Sequence, residues 1–454
     1  MAKISPFRAW RYAPDQVAVS QAVTQPYDKI TPAMQERYYQ ASPYNLVRII
    51  LGKHLPDDDD SRNVYTRAAA SFRDWRRDGV LRQDPEPSLY SYSQTFSVPG
   101  TDSRAERHAF IGAGRLEDYS AGIVFRHEQT LSRPKADRLN LLRATRAHFG
   151  QIFMLYSGSG ETDAALASSA APDIEVTDES GVLHRVWRIS DQAVIAAVQE
   201  QMRDQKLIIA DGHHRYETAL AYRNERRTES KASTDDPTVR QMREARGAPK
   251  EEPGAAGQVP LYDSVMMTFV NMNSPGLVVL PTHRVVFGLE SFSAERLLAG
   301  VRQHFTVEEV DGTLDAARAT EILGEAGRVG TALLAATRQR TFLMHSPKSG
   351  SNLFHDLSLR QQALDVVQLH KCLLEGVLNI SEEAIRNQQN VSYCRETSEA
   401  LAQVRGGQAQ VAFLMNPVRM EQVRDIAFAG EVLPQKSTDF YPKMLSGLTI
   451  YALD

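Results

Sequence analysis

Asp211-Gly212-His213-His214-Arg215 is the densest group of chemistry-bearing residues in this chain, and it follows directly on the apolar run 207–210. Gly212 permits a sharp turn that other residues resist. A helix is expected to begin near Arg215 or Tyr216 and to cover 216–226. The free N–H groups and the dipole at a helix start favour an anion. Arg215 adds a planar, permanently charged fork suited to phosphate. His213 and His214 can donate to phosphate oxygens or shuttle a proton. The same five residues also fit a plain helix start capped by Asp211 with structurally satisfied histidines. A metal site is the weaker variant, because adjacent histidines point apart and no HExxH spacing occurs.

A second stretch, residues 126–138, sets one carboxylate, Glu128, among Arg126, His127, Arg133, Lys135 and Arg138. Such a crowd of cations would keep Glu128 ionised and could hold a polyanion beside it. Glu128 could then take a proton from a substrate hydroxyl. A solvated basic loop with one neutralising glutamate is the alternative. Three further groups are candidates for substrate or lid contacts. His283 and Arg284 follow a strand and either face a cleft or form a surface turn. Lys436, Ser437, Thr438 and Lys443 lie in the donor-rich segment 433–448, which reads as a lid or an ordered tail. Asp28 ends the early loop 25–28, where a simple turn is the alternative.

The elements that must position these groups follow from apolar periodicity. Strands are expected at 46–51, 89–96, 152–156, 182–189, 207–210, 264–270, 277–280, 341–345 and 411–414. Helices are expected at 62–79, 137–148, 216–226, 293–304, 315–326 and 364–378, with Gly79 as the C-terminal stop of the first. This alternation predicts an α/β (α+β) protein. With 454 residues the chain exceeds a single ordinary core. It divides into 1–90, an N-terminal α/β segment; 91–226, the core carrying the chemistry; 227–259, a polar flexible insertion; and 260–454, a C-terminal α/β lobe. Lys and Arg are interspersed with Asp and Glu at a net charge of −4, which argues against a nucleic-acid partner. No stretch reaches the ~20 apolar residues of a membrane span, and the N-terminus lacks a secretion signal. Two cysteines, Cys372 and Cys394, cannot build a disulfide framework and read as packing residues. A cytoplasmic protein is expected.

The segments 25–28 (QPYD), 45–52 (NLVRIILG), 90–94 (YSYSQ), 127–145 (HEQT through DRLNLLRAT), 210–219 (ADGHHRYETA), 280–284 (LPTHR) and 435–448 (QKSTDFYPKMLSGL) run in order over nearly the whole chain. Together they resemble the family catalogued as domain of unknown function 1015, a name that supplies no function. A more distant likeness does. The order His127-Glu128-Gln129-Thr130, helix, Gly150, strand 152–156, strand 207–210, Asp211-Gly212-His213-His214-Arg215, helix is similar to the ParB/sulfiredoxin-like nucleotide-binding fold of free-serine kinases. That likeness implies a ParB-like catalytic core over 91–226. It implies Glu128 as the base that deprotonates the hydroxyl, within a segment holding His127 and Thr130. Gly212, His213, His214 and Arg215 would be phosphate contacts, with Thr130, Arg133, Lys135 and Arg138 nearby, and Asp211 a Mg²⁺ or ribose contact. About fifty residues separate the strands 152–156 and 207–210, more than compact ParB-like folds use, and the C-terminal lobe has no ParB counterpart.

Three functions remain open on these grounds. The first is a kinase of a small hydroxylated metabolite, with free L-serine the first guess, using ATP or another phosphoryl donor with Mg²⁺. The second is a ParB-like nucleotide-binding regulator without turnover. The third is a metal-dependent hydrolase using His213 or His214. The kinase reading needs Glu128 to face the Asp211–Arg215 bend.

Overall fold

The computed structural model describes residues 1–128, 133–235, 259–348 and 352–454, and for 133–135, 231–235 and 352 the backbone only. Thr130 and most of the expected 227–259 insertion lie outside the described residues, as do the side chains of Arg133 and Lys135. Two compact units divide the chain: Met1–Phe125, Thr130–Leu277 and Pro442–Asp454 form the first, and Arg126–Gln129 with Val278–Tyr441 form the second. The units do not break at 90 or 260, where the sequence pattern divides the chain. Strand Leu89–Ser97 pairs with Arg104–Arg115, and Arg104–Arg115 pairs with Ser264–Asn271, so hydrogen bonding joins all three stretches into one sheet.

The first unit is built on that mixed sheet. Toward one edge of it, Ile152–Tyr156 lies between Leu207–Asp211, antiparallel, and Ser264–Asn271, parallel. All five residues of Ile152–Tyr156 are buried, as a strand covered on both faces requires. The fifty-residue interval after it contains the hairpin Ile174–Thr177/Leu183–Ile189, which extends the sheet beyond Leu89–Ser97. Helix Val64–Arg77 packs Val64, Ala68, Phe72 and Trp75 inward; an Asn63 capping box starts it, and Gly79 with φ of 74° follows its end.

The second unit carries a six-stranded antiparallel sheet in the order Thr306–Val310, Thr341–His345, Ala332–Ala336, Val411–Met415, His283–Val286, Val391–Cys394. A separate ribbon pairs Val278–Leu280 with Asp439–Tyr441.

Several expectations change. The run 46–51 is a single helical turn, Val47–Ile50, with Val47, Ile49 and Ile50 buried; a short apolar run fits a buried helix turn as well as a strand. The helix expected at 137–148 is Arg133–Thr145, and Ala147–His148 instead pairs with Tyr451–Ala452. The helix after the key turn is His213–Asp235. It starts before Arg215 and runs nine residues into the expected insertion. The expected helix 364–378 is the α-turn Asp365–Gln368 followed by a π-helix, Leu369–Val377. Among the described residues no helix is long and apolar enough to cross a membrane.

Candidate functional site

A β-bulge shapes the approach to Asp211. The register of Leu207–Asp211 on Ile152–Tyr156 runs Ile208 to Leu155 and Ile209 to Met154, then skips, so that Asp211 pairs with Phe153. A bulge re-aims the side chain beyond it. Gly212 follows with φ of 92°, a conformation that favours glycine, and its carbonyl accepts the first helical hydrogen bond, from Tyr216 N at 2.9 Å. Gly212 therefore occupies the cap position. The amides of His213, His214 and Arg215 fall among the four N–H groups that a helix leaves without intrahelical partners.

Arg215 bends back over this turn. Its Nη2 donates to Asp211 Oδ2 at 2.7 Å, and its Nη1 donates to the Gln151 carbonyl. Burial alone would push the Asp211 carboxyl up. The charges of Lys443, Arg215, Lys29 and His213 outweigh that and hold it well below the usual carboxylate range. Beside the turn two buried polar atoms have no hydrogen-bond partner among the described residues: Gln151 Nε2 and Thr218 Oγ1. Thr218 and Arg215 line a cavity of about 70 Å³ together with Tyr27, Gly150 and Ser446.

Arg138 also lines this cavity, but its fork is engaged with Asp137 and the Ile50 carbonyl, and it sits 4.2 Å over the Tyr27 ring. Asp28, in the short 3-10 turn Tyr27–Lys29, is exposed; the member of that turn that acts on Asp211 is Lys29. Lys443 does the same from the Pro442–Asp454 segment.

Glu128 belongs to the second unit, with His127. Its Oε1 accepts from Ser437 N at 3.1 Å, Thr438 N at 3.0 Å and Thr438 Oγ1 at 2.9 Å. Two successive amides converging on a carboxylate form an anion-binding nest. Among the described residues Oε2 takes no hydrogen bond. The buried His127 ring shares the Thr438 hydroxyl at 2.7 Å, and its backbone carbonyl accepts from Leu433 N. Arg284, fully buried, shapes the same loop from beneath, donating to the Lys436 carbonyl at 3.1 Å and the Gln435 carbonyl at 3.4 Å. Lys436 itself is exposed and has φ of 57°.

Burial lowers the Arg284 pKa to about 10, with Tyr393 and Glu128 opposing that fall. His283 is buried between Thr397 Oγ1 and Met415 N, and burial followed by the Arg284 charge lowers its pKa to about 4. A cavity of about 340 Å³ opens beside this loop, walled by Leu433, Pro434 and Gln435 and by His370 and Lys371 of the π-helix.

The structure thus gathers Asp211–Arg215 with Lys29 and Lys443 in one unit, and Glu128, His127, Ser437, Thr438 and Arg284 in the other. Lys29 and Gln151 have no motif of their own in the sequence; their only signal is adjacency, Lys29 to the QPYD segment and Gln151 to Gly150. One carboxylate completed by phosphate oxygens is how Mg²⁺ is commonly held, and Asp211 Oδ1, which accepts no hydrogen bond among the described residues, fits that use. Among the described residues no group of three or more His, Cys, Asp or Glu could hold a metal by itself.

Fold and site together define a two-unit α/β protein with a cation-rich strand-to-helix turn. The chain belongs to the family described as "Protein of unknown function (DUF1015)", whose model matches residues 4–367. The comparison with curated proteins found no match. Among solved structures it is similar to a free serine kinase in complex with AMP, at 12% identity over 72% of this chain and 89% of that one, with a TM-score of 0.33. A conserved hypothetical protein from Pyrococcus furiosus matches at 12% identity over 72% and 92%, with a TM-score of 0.31. SbnI from Staphylococcus aureus, C-terminally truncated, matches at 10% identity over 74% and 87%, with a TM-score of 0.29.

Proposed function

We propose that this chain is a phosphotransferase: a kinase of a small hydroxylated metabolite that binds the polyphosphate of ATP or another donor at the Asp211–Arg215 turn. The observation that carries the reading is the charge cluster at that turn. Lys29, Lys443, Arg215 and His213 all act on Asp211, at the start of helix His213–Asp235, where the helix dipole favours an anion. Gln151 Nε2 and Thr218 Oγ1, buried beside it without partners, add two groups that a bound ligand would satisfy.

Asp211 is ionised in this setting, and a bare polyphosphate would be repelled by it. Mg²⁺ bound with the donor would remove that repulsion and supply charge neutralisation at the phosphate oxygens. Lys29 and Lys443 bind and orient the phosphates. Arg215, held by Asp211 and the Gln151 carbonyl, keeps the carboxylate aimed. Glu128 is the proposed base, with Oε1 fixed by the nest and Oε2 left to accept the hydroxyl proton. Free L-serine as the acceptor comes from the family-level resemblance alone.

The test is a thermal-shift screen of ATP, ADP and inorganic pyrophosphate, each with and without Mg²⁺, followed by phosphoryl transfer to hydroxylated metabolites. Binding to the native state should raise the melting temperature in a concentration-dependent way, and Lys29→Ala with Lys443→Ala should remove the shift. A shift that survives this double substitution would place the nucleotide elsewhere. Binding without transfer to any acceptor would favour the regulator, and tightly held zinc or manganese in the purified protein would favour the hydrolase.

A further inference from the structure

Lys29 and Lys443 come from opposite ends of the chain, yet one buried polar network anchors the backbone beside both. Around Lys443, Gln94 Nε2 donates to the Lys443 carbonyl at 2.9 Å and lies 3.4 Å from His184 Nδ1, and Arg107, whose Nε donates to Gln94 Oε1 at 3.1 Å, donates through Nη2 to the Pro442 carbonyl. Tyr92 in turn lies 2.6 Å from His184 Nδ1, and His184 Nε2 lies 3.3 Å from Asp178 Oδ2. Asp178 Oδ2 also accepts from Gln25 Nε2 at 3.0 Å. Gln25 opens the turn that ends in Lys29, whose amide donates to the Pro26 carbonyl.

Thr24 and Ser446 complete the link by exchanging two backbone hydrogen bonds, at 3.1 and 2.8 Å. Tyr92, Gln94, Arg107 and His184 are each at most 1% exposed. An ionised Asp178 can only accept, so His184 carries its proton on Nε2 and accepts the Tyr92 hydroxyl at Nδ1.

A buried network of this kind is a costly way to fill a core. Its bonds reach the backbone of the Lys443 segment and, through the Gln25 side chain, the turn that ends in Lys29, while Asp178 Oδ1 accepts from Ser180 N and Val182 N of its own turn. The geometry points to a positioning role: the chain Gln25–Asp178–His184–Tyr92, joined through Gln94 to Arg107, sets Lys29 and Lys443 against Asp211. Asp178 and His184 thereby govern anion affinity without touching the anion. This deepens the proposed function and rests on its reading of the Asp211 turn as a polyanion site.

The experiment measures the dissociation constant of inorganic pyrophosphate with Mg²⁺ by calorimetry. Asp178→Asn and Tyr92→Phe are each compared in the wild-type background and in a Lys29→Ala, Lys443→Ala background. Groups coupled through a shared network give non-additive effects. Each variant should weaken binding by roughly tenfold in the wild type and by about twofold or less once the lysines are gone. An equal factor in both backgrounds overturns the proposal, because the network would then act on stability in general. Tyr92→Phe keeps the ring and carries the test if Asp178→Asn does not fold.

If the wild type binds no pyrophosphate, the polyanion reading fails on its own, and the network is judged on ligand-free protein by the acylation rates of Lys29 and Lys443, read by mass spectrometry against exposed Lys436. Changed rates in Tyr92→Phe at these two lysines support positioning. Unchanged rates overturn it.

Discussion

Glu128 has two separable jobs in this reading, and two substitutions pull them apart. Glu128→Gln keeps an oxygen where Oε1 now accepts from Ser437 N, Thr438 N and Thr438 Oγ1. It loses only the charge, and charge-assisted hydrogen bonds are about twice as strong as neutral ones, so the local cost is about 1–2 kcal/mol. Glu128→Ala leaves the Ser437 and Thr438 amides without an acceptor, at about 1–3 kcal/mol each when dry, while the Thr438 hydroxyl keeps the His127 ring as a partner. The Glu128 side chain is 17% exposed, so water recovers part of that, and about 3 kcal/mol of local opening free energy remains.

Hydrogen exchange at the Ser437 and Thr438 amides reads these terms directly. Protection should fall about tenfold in Glu128→Gln and about 100-fold in Glu128→Ala, at 1.4 kcal/mol per factor of ten. Glu128→Gln should bind nucleotide as the wild type does and transfer no phosphoryl group. Wild-type exchange rates in Glu128→Ala would refute the nest, and full turnover in Glu128→Gln would remove Glu128 as the base.

Three further outcomes are expected. Gly212→Ala should destabilise the first unit by about 2–4 kcal/mol, seen in urea unfolding by Trp fluorescence: φ of 92° is strained for alanine, and its Cβ would lie 3.0 Å from Arg215 Nε. Asp211→Asn should lower stability at pH 7, because the wild-type carboxyl titrates below its ordinary value of 3.8. That deficit is complete above pH 3.8 and should shrink as pH falls through the lower folded value; a deficit constant down to pH 2 would contradict the charge cluster. His283 is buried and His148 half-buried, and desolvation lowers both pKa values to about 4 from 6.5. The unfolded chain therefore takes up protons first as pH falls, so stability is full above pH 6.5 and declines toward pH 4 by about 3 kcal/mol per residue, and His148→Phe should flatten that decline in the first unit.

Where periodicity and capping agree, the sequence already specifies the element. Val64–Arg77 shows this, with its apolar stripe, Asn63 cap and Gly79 stop. Elements whose stabilisation lies elsewhere were not legible. Arg104–Arg115, the backbone of the first sheet, opens with charged residues and carries Gly112 and Gly114. Gly114 lets Met267 approach so closely that a Cβ would meet its sulfur at 2.2 Å, a packing reason that no local propensity expresses. The early start of helix His213–Asp235 has a similar cause: Gly212, read only as the turn, is itself the cap. The five residues of the turn were evident from composition and spacing. Lys443 was evident as a donor but not as a partner of the turn, and Lys29 and the Tyr92–His184–Asp178 chain were not evident at all, because they act together only through strand pairing across most of the first unit.

The position of Arg215 changes how the turn works. From sequence it is a phosphate clamp, but both arms of its fork are already committed, one to Asp211 and one to the Gln151 carbonyl. A permanently charged group held at two points is a poor mobile ligand and a good brace. Gly212 is needed both for its backbone angle and for the space the guanidinium fills above it. In the proposed kinase, phosphate recognition would then fall to Lys29 and Lys443, and Arg215 would fix the carboxylate that calls for a divalent cation. The proposed cradle would be selective through its charges: an ionised Asp211 disfavours a bare anion and the lysines disfavour a bare cation, so a metal-polyphosphate complex would meet both sets of charges at once.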